Sequence, residues 1–511
     1  MLKTCAELSL DEIEQEVDGH LRDRRVGGAL DAIRDAVDTV INHPRSVARV
    51  YASFRLDRLC ERVALAVPEI MPAPVSHTGQ GGGTVIVATE LAAAGGHVEV
   101  IKDLIRLGDI PQPIDLFLTN NFERIDASTQ QGHAALIGVP LGIAAGQGSG
   151  ERLDSTMAFL RERRPDTLVL LVHNQDATGI VAGLACGARK VVFVHHGDHH
   201  LSLGVTCPSM VHVDLSNFAF CNCRQALGLT NNVFWPLTLS STKAHRHGGA
   251  FMAEGHAVTC CVGRPEKFDD PRYRYQYLDL LGPMLRATGG RHLHIGQLSA
   301  GQLERIGQSL ASHGVDGSRF THLPWVDSVS RALIEQGVDL YMTSFPYGGG
   351  KAQVEAMATG LPVLIHQNYR SRFLSGIDLG YPGVLTWRDD KELGRVLQAL
   401  TPELLSSHGQ AARAHFERHH SEAALRRAMR ASATSEQDVP ALAVVHEDGL
   451  QAFLEDEDLF KVAVLDGRES NEEIAHLRQI LAHQEAEMRV LRKKARFLGG
   501  VRYKLTTMLK S

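Results

Sequence analysis

Two groups of residues in this sequence combine types and spacings suited to chemistry. The first is Ser344-Phe-Pro-Tyr-Gly-Gly-Gly-Lys-Ala-Gln-Val-Glu-Ala-Met-Ala-Thr-Gly-Leu-Pro-Val. An apolar run ends near Phe345, Gly348-Gly349-Gly350 permits a tight turn and close approach to a ligand, and a helix begins near Lys351. The open N–H groups and positive dipole end of such a helix form an anion site, to which Lys351 adds a full charge. Glu355 lies one turn on, where its carboxylate can accept hydrogen bonds from a ribose diol.

The second group is histidine. The sequence holds 26, and Val194-His-His-Gly-Asp-His-His follows a strand-like run, placing His196, Asp198 and His199 on the rim of that unit. A histidine beside an aspartate suits proton transfer near neutral pH. The four histidines and the aspartate of 195–200 also read as a metal site or as a loop whose imidazoles bond backbone. Gly95-Gly96-His97 opens a helix, where the dipole disfavours the imidazolium. A neutral His97 suits a general base; a capping histidine after a glycine turn is the alternative reading.

The elements that must position these residues follow from apolar periodicity. Residues 10–66 read as helices, with Leu30, Ile33, Val37 and Ile41 on one face and a second helix at about 45–66 beyond Pro44. From Thr84 the pattern becomes short apolar runs alternating with helices: 84–89, 114–118, 168–172, 190–194 and 211–215. It pauses over 237–256 and restarts at 257–262, 292–295, 338–342 and 362–365. Such runs imply parallel sheets covered on both faces, hence an α/β fold of two Rossmann-like domains. The expected order is a helical region (1–70), an acceptor-side domain (71–240), a donor domain (241–430), a linker region (431–470) and a C-terminal segment (471–511).

In that last segment Ile474, Leu477, Leu481, Gln484, Met488, Leu491, Ala495 and Leu498 form a heptad seam. It is either a self-associating coiled coil or an amphipathic helix on the body. Residues 489–511 carry eight basic and no acidic residues, which leaves 1–488 at −14 within a net charge of −6. The acidic body excludes a broadly basic nucleic-acid binder, and the cationic tail suits either an anionic membrane surface or solvent. With 44% hydrophobic residues and no unbroken apolar span, the chain is expected to be globular and cytoplasmic, its tail either peripheral on the inner face of the membrane or solvated. The eight scattered cysteines, none in a CxxC pair, read as reduced core thiols.

Val354-Glu-Ala-Met-Ala-Thr-Gly-Leu-Pro-Val resembles the donor-nucleotide motif of GT-B glycosyltransferases, and the resemblance extends over about 84–430. It implies a nucleotide-sugar in a cleft between two Rossmann-like domains, with Glu355 on the ribose and Gly349, Gly350 and Lys351 facing the diphosphate. Val262-Gly263-Arg264-Pro-Glu-Lys267 is similar to the family's diphosphate-gripping pair. His322-Leu-Pro-Trp325-Val resembles the segment that reads the base, with Trp325 either there or in the core. The His195–His200 loop resembles a His-x-Asp-His signature of bacterial GT-B enzymes, with some likeness to the O-GlcNAc transferase-like group; inverting families carry a base histidine where His97 stands. No metal or cofactor is expected, the donor being a substrate.

Many retaining members carry a Glu-x7-Glu pair, and Tyr347 occupies the first position here, which favours inversion. The expected activity is glycosyl transfer, from a UDP-sugar to a glycan, lipid-linked or protein acceptor, in bacterial surface polysaccharide or glycoconjugate synthesis. The alternatives are a non-hydrolysing UDP-sugar 2-epimerase and a non-catalytic coiled-coil scaffold.

Overall fold

The structure, a computed structural model, describes residues 8–43, 46–70, 82–91, 96–107, 109–239, 250–268, 270, 272–445 and 454. Residues 1–269 and 275–446 form one unit and 270–274 with 447–511 another; in the latter the Arg272 guanidinium pairs with Asp270. The expected heptad seam (471–498) and basic tail (489–511), together with Gly95, lie outside the described residues.

Three helices come first: α1 (Leu10–Arg22), α2 (Val26–Ile41) and α3 (Phe54–Ile70). Val17, Leu30, Ile33, Val37, Leu59, Val63 and Val67 recur at helical spacing and are all buried. The helix expected from about 45 begins only at Phe54. Ser46 Oγ donates to the Val40 and His43 carbonyls. The following turn sends the Ala48 N–H to the His199 carbonyl at 2.7 Å, and the Tyr51 carbonyl accepts from Ser202 N–H at 3.1 Å. These long-range bonds outweigh local helix propensity.

The first sheet interleaves β1 (Thr84–Ala88), α4 (Gly96–Leu107), β2 (Ile114–Leu118), α5 (Ala127–Ile137), β3 (Leu141–Ile143), α6 (Ser149–Arg163), β4 (Thr167–Leu171), α7 (Ala177–Ala185), β5 (Lys190–His195), β6 (Val211–Asp214), α8 (Asn217–Gln225) and β7 (Asn232–Phe234). Its order is β3-β2-β1-β4-β5-β6-β7, all parallel. Side chains alternate across the strands: Val85 and Val87 enter the core shared with α1–α3, whereas Ile86 and Ala88 enter the core on the opposite face. Both faces are therefore covered, as the continuous apolar runs required.

The second sheet contains β8 (Val258–Val262), α9 (Tyr277–Thr288), β9 (Arg291–Ile295), α10 (Ala300–Ser312), β10 (Phe320–Leu323), α11 (Val329–Glu335), β11 (Leu340–Met342), α12 (Gly350–Ala358), β12 (Val363–His366) and β13 (Leu385–Trp387). Its order is β10-β9-β8-β11-β12-β13, again parallel. Three helices close the described fold: α13 (Asp390–Gln398), α14 (Pro402–His419) and α15 (Glu422–Arg430). The last returns to the first sheet, where Leu425 joins its core and Arg426 pairs with Asp109 at 2.9 Å. In each sheet the strand order reverses beside the first strand, at β1/β4 and at β8/β11. Ligands of doubly wound folds gather at the carboxyl ends of the strands at such points.

Candidate functional site

β8 and β11 are neighbours, so their carboxyl ends bring Gly263–Lys267 and Gly348–Gly350 together from segments more than eighty residues apart. Lys267 Nζ donates to the Gly348 carbonyl at 2.9 Å. A Cβ on Gly349 would stand 2.9 Å from that ammonium, so the cation needs a glycine there. Gly349 is also the N-cap of α12 and offers no side chain to its first amides. Partly enclosed, Lys267 is depressed to a pKa of about 8 by burial and by the exposed Arg264 guanidinium. A cation and an uncapped helix N-terminus thus meet at one glycine turn, with Arg264 near enough to act on that cation, a constellation suited to a diphosphate.

Glu355 is half-buried on α12 and accepts from Ser330 N–H at 3.2 Å and Ser330 Oγ at 3.4 Å. Burial raises its pKa to about 6 against the lowering effect of Lys351. Lys351 departs from expectation. It does not stand free before the glycine turn but donates to the Asp103 carboxylate and the Thr238 carbonyl. Asp103 lies on α4, so this pair joins the helix carrying Glu355 to the helix carrying His97, and the Lys351 charge is already matched by a carboxylate. Trp325, just past β10, is 66% exposed, which removes the core reading.

On the first sheet, His97, His173 and His196 follow the carboxyl ends of three adjacent strands, β1, β4 and β5. His97 and His196 stack with centroids 4.6 Å apart, and His173 lies 5.3 Å from His97 and 6.1 Å from His196. The His97 Nε2–H donates to the Leu171 carbonyl at 2.5 Å, which leaves Nδ1 as the unprotonated nitrogen. Burial depresses all three imidazoles, and their mutual repulsion adds to this for His173, which falls to about 3, and for His196. They are neutral at physiological pH, the state a general base requires.

The strand ends beneath them are laced together by Asp176, the N-cap of α7. It accepts from Thr89 (2.7 Å), Thr119 (2.5 Å), Asn121 (3.1 Å) and the Gly179 amide (3.0 Å). Gly197 keeps the loop against this rim, since a Cβ there would fall 2.0 Å from the Asn174 side chain, which donates to the Gly197 carbonyl.

His196, Asp198 and His199 do not form one group. Asp198 Oδ2 accepts from Ser216 Oγ at 2.8 Å, and His199 Nδ1 stands 3.5 Å from Asp198 Oδ1, while His196 turns to His97. The backbone turns between them, the His200 N–H donating to the Gly197 carbonyl at 3.1 Å, and Asp198 anchors the loop to the N-cap of α8. Sequence reasoning missed His173. The signal available was its place directly after the apolar run 168–172, equivalent to that of His195 after 190–194.

No protein-family model matches this chain, and no curated protein does. Among solved structures, HepE of Anabaena, in complex with UDP and glucose, superposes with a TM-score of 0.50 at 12% identity, covering 68% of this chain and 97% of that one. The chain has the GT-B fold. A mutant O-GlcNAc transferase of Thermobaculum terrenum covers 88% of this chain and 83% of its own at TM-score 0.43 and 15% identity. A UDP-N-acetylglucosamine 2-epimerase of Listeria monocytogenes, so described provisionally, covers 71% and 99% at 0.44 and 15%. Within the GT-B fold seen here, the cations and Glu355 belong to the C-terminal Rossmann-like domain and the three histidines to the N-terminal one.

Proposed function

We propose that this chain is an inverting glycosyltransferase that moves a sugar from a UDP-sugar to a hydroxyl of a glycan, lipid-linked or protein acceptor, in the synthesis of a bacterial surface polysaccharide or glycoconjugate. The observation that carries the reading is Lys267 Nζ on the Gly348 carbonyl, at the uncapped start of α12. Arg264, Lys267 and the α12 amides meet the diphosphate, and Glu355 accepts from the ribose hydroxyls. His97 Nδ1 takes the acceptor's proton as its oxygen attacks the anomeric carbon, with His196 stacked to hold the ring. The bond from the anomeric carbon to the diphosphate breaks with its electron pair leaving on UDP, whose charge the cations stabilise. This chemistry calls for no metal. No helix among the described residues is long and apolar enough to cross a membrane; we assign the cationic 489–511 segment to the anionic inner membrane face and the 471–498 seam to pairing between copies.

The test is incubation of the full chain with UDP-sugars, with and without acceptors. Hydrolysis or transfer that disappears in Lys267→Met and Glu355→Ala supports the reading. Interconversion of UDP-N-acetylglucosamine with its 2-epimer replaces transfer by epimerisation, and failure to bind UDP leaves a scaffold.

A further inference from the structure

One cluster near the rim is used by none of the chemistry above. His195 ends β5, His212 and Asp214 point to the same side of β6, and Cys223 projects from α8; all four are buried, with their ligand atoms within 4.8 Å of one another. We propose that these four residues bind a zinc ion through His195 Nδ1, His212 Nε2, Asp214 Oδ1 and Cys223 Sγ. The proposal departs from the metal-free expectation, which weighed the histidines of the loop, and from the reading of Cys223 as a plain core thiol.

Three observations carry it. First, His212 Nδ1 lies 3.1 Å from the Val205 carbonyl while Nε2 lies 2.9 Å from Asp214 Oδ1. Both ring nitrogens face acceptors while a neutral imidazole has one N–H, so a proton or a metal ion stands between Nε2 and the carboxylate. A metal-bound histidine whose other N–H is held by a carbonyl is the usual outer-shell arrangement. Second, His195 Nδ1 (3.3 Å), His212 Nε2 (2.9 Å) and Cys223 Sγ (3.5 Å) all crowd Asp214 Oδ1, while Asp214 Oδ2 is separately held by Asn232 Nδ2 at 2.8 Å. Third, the spacing fits. Ligand bonds of about 2.0–2.3 Å in a tetrahedron give edges of about 3.3–3.6 Å. Four of the six edges, 3.3, 2.9, 3.5 and 3.8 Å, match within about 0.5 Å, and the two from His195 to His212 and to Cys223 lie within 4.8 Å. Two nitrogens, a thiolate and a carboxylate in this geometry select zinc.

Binding would expel the Cys223 thiol proton to solvent and leave four protein ligands with no open position, the composition of a structural rather than a catalytic site. The ion would fasten β5, β6 and α8 at one point. His195 directly precedes His196, so the site would fix the root of the histidine loop.

The experiment measures metal in the full chain purified without added metal, followed by chelation and refilling with cobalt(II). About one zinc per chain is expected, as are a thiolate-to-cobalt charge-transfer band and the intense visible bands of tetrahedral cobalt. Cys223→Ser and His212→Gln should lower zinc at least tenfold while UDP binding persists, which separates this site from the donor reading. Folded wild-type chain lacking zinc and taking up neither zinc nor cobalt with a tetrahedral spectrum overturns the proposal, whatever the variants do.

Discussion

Replacing Lys267 by methionine should stabilise the ligand-free protein near neutral pH while weakening its hold on UDP. A displacement of the lysine from its ordinary 10.5 to about 8 corresponds, at about 1.4 kcal/mol per pH unit, to about 3.4 kcal/mol of folding free energy. The side chain is only partly enclosed, and solvent screening lowers this to about 2 kcal/mol. Loss of its bond to the Gly348 carbonyl takes back about 1 kcal/mol. The net expectation is a gain of about 1 kcal/mol at pH 7. The sign fixes the pH window. The folded pKa is the lower one, so the penalty is complete below about 8 and fades as pH rises toward 10.5, and the advantage of the variant fades with it. UDP should meanwhile bind about 10- to 150-fold more weakly, the worth of a charged hydrogen bond of 1.5–3 kcal/mol. Denaturant titrations at pH 7 and pH 10, with calorimetric UDP binding at pH 7, measure both halves. A variant less stable than wild type at pH 7, or one that keeps UDP affinity, refutes the reasoning.

Glu355→Gln should weaken binding of uridine about 10-fold at pH 7.5, and wild-type affinity should fall toward the variant's as pH drops through about 6, where Glu355 protonates; a wild-type affinity flat from pH 5 to 8 contradicts this role. His97→Ala should cut turnover about 10²- to 10⁴-fold with donor KM little changed, and a KM effect alone would assign His97 to binding. Asp103→Ala leaves the Lys351 ammonium buried without its carboxylate, so stability should drop by about 3 kcal/mol. Thermal unfolding checks this, and an unchanged midpoint would mean the pair is solvated.

The α/β architecture was legible because buried parallel strands are written as unbroken apolar runs, such as 84–88 and 168–171, that periodicity detects directly. The glycine turn before α12 was legible because strand, glycines and helix are contiguous in sequence. What escaped was fixed by strand order. His173 joins His97 and His196 only because β4 lies between β1 and β5, an adjacency absent from local spacing. The pairing of Lys351 with Asp103 spans 248 residues, and nothing near Lys351 signals that its charge is already committed. His212, Asp214 and Cys223 of the proposed zinc site escaped for the same reason, since a second strand and a helix bring them to His195.

The first three helices bear on how this protein can be divided. Asp57, buried on α3, accepts from the amides of Gly204 (2.7 Å) and Thr206 (2.8 Å) and from the Thr206 hydroxyl, downstream of the histidine loop. The apolar faces of α1–α3 share one core with the first sheet. A chain begun at Thr84 would keep every residue assigned here to donor, base and zinc. It would also bare the sheet face that those helices cover, and a few buried side chains at about 1.5–3 kcal/mol each are comparable to a domain's whole stability of about 5–15 kcal/mol. The opening helices are therefore a wall of the first Rossmann-like domain, and a fusion or truncation meant to keep that domain folded is expected to begin before Leu10.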